Sequence, residues 1–349
     1  MPGEQPAALS SRQTDCKVTQ LLGLPTTRRA FLRVGVVAMA TWPLTARAQR
    51  TPIPRIGFLG NANLALQADS VQAFQRGLGD LGWVDGKNIE IVYRWADGDM
   101  TRHATLASEL VNLPVTIIVT AGTQAVRAAQ QATKTIPIVV SIMPDPVALG
   151  FAASFARPAG NITGVANLFE ELTPKQLQIF EEVLPKAKRI ALLSDRTMGD
   201  SIVQATEAAA RNLHLVPRVF QIDAAPDIEP AMRAARNDMM DGVLVLPSPV
   251  FNRSRGRIAD LALKQRLATF GESSEYVRDG CLLSYGPSFP QMYYRAATYV
   301  DRILKGEKPG DLPIERPSRF ELVVNLKTAK TLGISIPQPL LLRADQVIQ

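Results

Sequence analysis

The sequence predicts an α/β protein of two similar lobes, each a parallel β-sheet flanked by helices. Short apolar runs recur down the chain, and each stops at a small polar loop before a stretch with helical apolar spacing. At 349 residues the chain is too long for one ordinary domain, and about two are expected. The composition, 46% apolar and 20% charged, suits a globular α/β chain and excludes a disordered one. In such sheets the loops after the carboxyl ends of the strands wall the ligand crevice, so those loops carry the candidate site.

The front of the chain reads as an address. Residues 1–27 are polar and unpatterned, then Thr26-Thr27-Arg28-Arg29-Ala30-Phe31-Leu32-Arg33 leads into an apolar run ending at Ala46-Arg47-Ala48. A charged region, an apolar stretch and a small-x-small site make a cleavable export signal over residues 1–48, cleaved near Ala48. The adjacent Arg28 and Arg29 followed by Phe31-Leu32 give it the twin-arginine form, with the twin-arginine translocase and a signal peptidase as export partners. The run is shorter than the roughly 20 residues a permanent membrane span needs. Of the net charge of +7, this segment holds +4, which leaves too little basic surface on the remainder for a nucleic-acid footprint.

The mature chain then repeats its pattern. Residues 56–59 form a first strand that enters the polar loop Asn61-Ala62-Asn63, and a helix covers about residues 66–81. That helix contains Gly77-Leu78-Gly79-Asp80-Leu81-Gly82, a G-x-G-x-x-G string. It ends a helix instead of linking a strand to a helix start, so it lacks the free amides a dinucleotide phosphate needs. Residues 88–95 alternate as an edge strand. The apolar strand at 115–120 ends in Ala121-Gly122-Thr123-Gln124, where a helix begins. The strand at 138–142 ends in Met143-Pro144-Asp145-Pro146, whose prolines stop it and hold one carboxylate.

A first crossing between lobes is expected near residue 164. The pattern restarts with strands at 189–193, 216–222, 242–246 and 267–270, of which the first, third and fourth end in Ser194-Asp195, Pro247-Ser248-Pro249 and Gly271-Glu272. Residues 281–286 read as a second crossing, and a long helix follows at about 291–305. The first lobe is thus 52–163 plus about 287–314, the second 164–286 plus about 318–330, and 331–349 is a tail. Short multiple crossings make a hinge.

The polar residues at these strand ends are the candidate ligand contacts. They are Asn61, Asn63, Gly122, Thr123, Gln124 and Asp145 from the first lobe, and Asp195, Ser248, Glu272 and Tyr285 from the second. Thr123 at a helix start suits a carboxylate, and Asp145 or Glu272 suits an amine; Asp145 is equally placed to cap the helix after it. Phe251 and Tyr285 are the aromatic candidates. Cys16 and Cys281 give no disulfide framework, and His103 and His214 have no metal-ligand spacing, so neither a metal nor a cofactor is expected.

Several strings carry a family resemblance: Ile56-Gly57-Phe58-Leu59, Gly82-Trp83-Val84-Asp85-Gly86-Lys87-Asn88, Tyr93-Arg94-Trp95-Ala96, Asp145-Pro146-Val147, Arg157-Pro158-Ala159-Gly160-Asn161-Ile162-Thr163-Gly164, Leu283-Ser284-Tyr285-Gly286, Ile303-Leu304-Lys305-Gly306-Glu307-Lys308-Pro309 and Phe320-Glu321-Leu322-Val323-Val324-Asn325. In these the chain resembles the substrate-binding components of ABC transporters related to tryptophan- and tyrosine-binding proteins. The resemblance implies a type I periplasmic-binding-protein fold with three hinge crossovers, the third near residues 312–318. It also implies capture of a small solute, an amino acid or related compound, and delivery to an ABC permease in the inner membrane.

Two other classes compete. An enzyme would need a nucleophile turn, a phosphate loop or a histidine beside a nucleophile, and the sequence spells none of these. A lactose-repressor-like regulator shares the core fold but carries a helix-turn-helix where this chain has an export signal, so nucleic acid is not an expected partner. A sensor docking on a membrane receptor is the closer alternative.

Overall fold

The computed structural model describes residues 53–196, 200–317 and 319–349. The segment expected to be an export signal, with Arg28 and Arg29, lies outside the described residues.

The first lobe is built on a five-stranded, wholly parallel sheet of order β2-β1-β3-β4-β5. Its strands are β1 (Arg55–Gly60), β2 (Glu90–Trp95), β3 (Ile117–Ala121), β4 (Ile138–Met143) and β5 (Ile162–Ala166). Between them run α1 (Ala68–Asp80), α2 (His103–Asn112) and α3 (Thr123–Ala132). Strands β3 and β5 are buried at every residue, which is why they read as unbroken apolar runs. Apolar clusters cover both faces of the sheet, one around Phe58, Phe74 and Val300, the other around Leu110, Ile118 and Val126.

The second lobe has a seven-stranded sheet of order β12-β11-β10-β9-β8-β6-β7. Its elements are α4 (Phe169–Val183), β6 (Arg189–Asp195), α5 (Asp200–Asn212), β7 (Val216–Ile222), α6 (Ile228–Asn237), β8 (Gly242–Val245), α7 (Pro249–Arg253), α8 (Arg255–Gln265), β9 (Ala268–Gly271), α9 (Ser274–Arg278) and β10 (Leu283–Pro287). Then α10 (Phe289–Leu304) returns to the first lobe, and β11 (Phe320–Asn325), α11 (Leu326–Leu332), α12 (Gln338–Arg343) and β12 (Gln346–Ile348) complete the second.

The chain therefore changes lobe three times: after β5, after β10, and after the stretch in which Glu315 bridges to Val165 beside β5. The last return fixes the one antiparallel pairing in the described sheets, β10 with β11. Strand β5 runs two residues past the crossing expected at 164, because its last residue still pairs with Met143 of β4. The expected tail is not a separate segment. Gln346–Ile348 pairs in parallel with Val323 to Asn325 and adds an edge strand to the second sheet.

Packing also explains the glycine string in α1. A Cβ at Gly77 would stand 2.7 Å from the Tyr294 carbonyl oxygen and 2.9 Å from Ala297 Cβ on α10. That glycine lets two helices of the first lobe approach closely, which is a packing role and not a phosphate role.

Candidate ligand-binding cleft

Between the lobes lies a cavity of about 520 Å³, lined by strand-end loops of both sheets. Seven predicted residues line it: Asn61, Gly122, Thr123, Gln124 and Asp145 from the first lobe, Ser248 and Glu272 from the second. Asn63, Asp195 and Tyr285 are not among its lining.

The first-lobe wall is set by β1, β3 and β4. Asn61 follows β1 and donates through Nδ2 to the Ala121 carbonyl at 2.9 Å, tying two strand ends together. Gly122, with φ +80°, turns the chain from β3 into α3, so the amides of Thr123 and Gln124 stand in the helix's first turn beside the cavity. Free first-turn amides and the helix dipole favour an anionic group there. Asp145 faces the cavity but is also occupied locally, since its Oδ1 accepts from the amides of Val147 at 2.8 Å and Ala148 at 3.0 Å. Asn63 acts just outside the lining, its Oδ1 accepting from the Leu66 amide at 3.1 Å ahead of α1.

The second-lobe wall centres on Glu272, just past β9 and only 4% exposed. Asn252 donates to its Oε1 at 3.3 Å. Burial pushes the Glu272 carboxyl up to about 8, helped by the neighbouring Glu275 charge, while the Asn252 hydrogen bond pulls it back slightly. Glu275 lines the same cavity, and its Oε2 is buried without a hydrogen-bond partner among the described residues. Of the cations near this wall, Arg253 bonds the Asp97 carbonyl and two others form ion pairs. Arg255 Nε meets Asp279 at 2.8 Å and Arg278 meets Asp69 at 2.8 Å. The buried Glu272 carboxyl, with Glu275 beside it at this wall, suits a group that brings its own positive charge, which would favour the ionised form of Glu272.

Backbone contact holds Glu272 in place. A Cβ at Gly286 of β10 would lie 1.8 Å from the Glu272 carbonyl oxygen, so only glycine lets the two segments meet. Ser248 is likewise committed. It caps α7, accepting from the Val250 amide at 3.0 Å, and its hydroxyl donates to Asp195. Asp195 is 1% exposed and lies beneath Ser248, not in the cleft lining. Tyr285 packs its ring on Phe320 at 6.0 Å, and its carbonyl accepts from Gln176 at 2.7 Å. Phe251 is fully buried in the second lobe's core.

The cleft's aromatic side chains come instead from helix starts at the crossings. Phe169 opens α4, and Phe289 and Tyr293 lie in the first turns of α10; all three line the cavity. Asn167, Asn252, Arg253 and Arg255 also line it and carried no sequence signal of their own. The signal that would have found Phe169 and Phe289 is position, since each is the first helical residue after a change of lobe.

The histidines and the cysteine lie away from this chemistry. His103 is buried, its Nδ1 3.2 Å from the Met100 carbonyl, and burial lowers its pKa. Cys281 is fully buried, its thiol pushed up to about 12, which makes it inert at neutral pH. Among the described residues there is no cluster of His, Cys, Asp and Glu that could hold a metal ion.

Two α/β lobes joined by three crossings around one cleft define a binding protein that captures a small solute between them. The chain belongs to the ABC transporter substrate binding protein family, whose family model matches residues 65–348. The tyrosine-binding protein of Clostridioides difficile (strain R20291) is 25% identical over 271 residues, covering 75% of this chain and 76% of that protein. A crystal structure of a conserved domain protein from Vibrio cholerae superimposes with a TM-score of 0.80 at 25% identity, covering 84% of this chain and 99% of the other. The ABC domain from Streptococcus pneumonia in complex with L-Trp gives a TM-score of 0.79 at 23% identity over the same shares, a likeness of fold.

Proposed function

We propose that the mature chain is the extracytoplasmic solute receptor of an ABC importer and that its solute is an α-amino acid with a large apolar or aromatic side chain. One observation carries this reading: a single cleft sets the first-turn amides of α3 on one lobe against the buried Glu272 carboxyl group on the other. Thr123 and Gln124 receive the solute carboxylate, Glu272 receives its amine, and Phe169, Phe289 and Tyr293 line the space for the side chain. The relatives whose names specify tyrosine and L-Trp support this class. The chain binds without turnover, reaches the periplasm through the twin-arginine signal at Arg28 and Arg29, and hands its solute to an inner-membrane permease.

The test is a thermal-shift screen of the twenty amino acids and related solutes, followed by calorimetric titration and product analysis. The expected result is stoichiometric binding of an apolar or aromatic amino acid that is recovered unchanged. Product accumulating over many turnovers, or binding confined to sugars or fatty acids, overturns the reading.

A further inference from the structure

We infer that Asn167, at the first crossing between the lobes, is a solute-recognition residue whose side-chain amide hydrogen-bonds the bound ligand. It selects solutes that present a nitrogen-borne donor beside an acceptor, as an α-amino acid does. This deepens the proposed function and rests on that reading of the cleft.

Asn167 is 6% exposed, yet it lines the interlobe cavity. Its Oδ1 is buried with no hydrogen-bond partner among the described residues. Such a group is uncommon in a native interior, because a buried polar atom left unpaired disfavours folding. The other strand-end amides of this lobe are used internally: Asn61 holds the Ala121 carbonyl and Asn161 holds those of Thr133 and Ile136. Asn167 faces the cleft with a buried amide oxygen that no group of the described residues satisfies.

The backbone is arranged to keep it there. The Asn167 amide donates to the Met143 carbonyl at 2.7 Å, which fixes the residue to β4 of the first lobe. The next residue, Leu168, holds φ +43° and ψ +52°, a left-handed conformation that a leucine rarely adopts. The chain then enters α4 of the second lobe at Phe169, another lining residue. A strained bend thus places a buried amide and an aromatic ring side by side where the lobes meet. Strain and an unsatisfied polar group together are tolerated where function uses them. Because Asn167 is fixed to the first lobe, it can engage the solute before the second lobe closes.

The experiment compares native protein with Asn167→Ala and Asn167→Leu. Melting is measured without solute, and calorimetric titrations use L-tyrosine, L-tryptophan and their deamino counterparts, 3-(4-hydroxyphenyl)propionate and indole-3-propionate. If Asn167 serves the solute and not the fold, both variants melt at or above the native temperature. The amino acid that the native protein binds is then held at least tenfold more weakly by both, and its advantage over the deamino counterpart narrows. A lower melting temperature in both variants, or an unchanged Kd in either, overturns the inference. If no amino acid binds native protein, the amino-acid reading falls, while the melting comparison still decides whether Asn167 is a structural residue.

Discussion

Arg278 of α9 and Asp69 of α1 form an ion pair between the lobes, Nη1 to Oδ2 at 2.8 Å. A second contact joins the lobes elsewhere, from Arg253 Nη1 to the Asp97 carbonyl at 2.5 Å. Arg278 ends the helix that carries Glu275, and Arg253 ends the helix that carries Asn252, so both contacts tie lining segments of the second lobe to the first. The side chains of Asp69 and Arg278 are 62% and 43% exposed, which keeps the pair weak. Exposed pairs contribute about 0–1 kcal/mol. Asp69→Asn is therefore expected to raise the solute Kd by at most about fivefold. Titrations at low and high salt check this: the gap between native and variant closes as salt screens the pair. A gap independent of salt would mean that Asp69 acts through packing.

Glu272 gives the molecule a pH signature. Its folded-state pKa, about 8, lies above the ordinary carboxyl value of 4.5. A raised pKa makes its contribution to stability complete below the unfolded value and lost as pH climbs from about 4.5 through about 8. Glu272→Gln removes that loss. The variant should melt close to native at pH 5 and several degrees above it at pH 8, read by calorimetry in the absence of solute. Parallel pH profiles for the two proteins would show that Glu272 is ionised throughout.

Gly286→Ala tests how the acidic wall is positioned. The new methyl would meet the Glu272 carbonyl oxygen, so either β10 or the loop after β9 must shift. Overpacking of this kind costs about 1–3 kcal/mol. The expected outcome is a lower melting temperature with solute affinity reduced further than an equally destabilising core change reduces it. Ile258→Val, fully buried in the second lobe's core, is the control.

Much of the fold was legible because its central strands are covered on both faces. β1, β3, β4, β6 and β8 read as apolar runs, and the loops that follow them give the cleft residues Asn61, Thr123, Asp145 and Ser248. What was not legible depends on side-chain direction and on distant pairing. Asp195 ends a strand as expected, but its carboxylate points under Ser248. Tyr285 pairs with Leu322 on a strand some 35 residues on, and that register turns its ring onto Phe320. Gln346–Ile348 is too short to show a period, and only its partner β11 makes it a strand. Asn167, Phe169 and Phe289 reach the cleft through the crossings, whose geometry is a property of two lobes and not of a local pattern.

The proposed export role of residues 1–48 yields a prediction independent of the cleft. Replacing Arg28 and Arg29 together by lysine keeps the charge but removes the guanidinium pair that a twin-arginine signal presents. Periplasmic accumulation should fall sharply, with precursor retained in the cytoplasm, as measured by fractionation and immunoblotting. Undiminished accumulation would assign the signal to the general secretory route.

Asp145 and Glu272 are the two carboxylates of the cleft that sequence reasoning offered for a solute amine, and their surroundings separate them. Asp145 Oδ1 is held by two backbone amides, so its role in the turn after β4 is one that asparagine can keep. Glu272 meets one asparagine at 3.3 Å, while Arg255 of the same wall pairs with Asp279 and Arg253 bonds the Asp97 carbonyl. A solute amine would gain a buried, charge-assisted bond from Glu272, an interaction of about 1.5–3 kcal/mol, or roughly tenfold and more in Kd. Asp145→Asn should therefore leave solute affinity within about threefold of native, an energy of well under 1 kcal/mol. Glu272→Gln should weaken it at least tenfold while melting as well as native or better. Calorimetry of both variants with the same solute decides between them, and the reverse ranking would move the amine site to the first lobe.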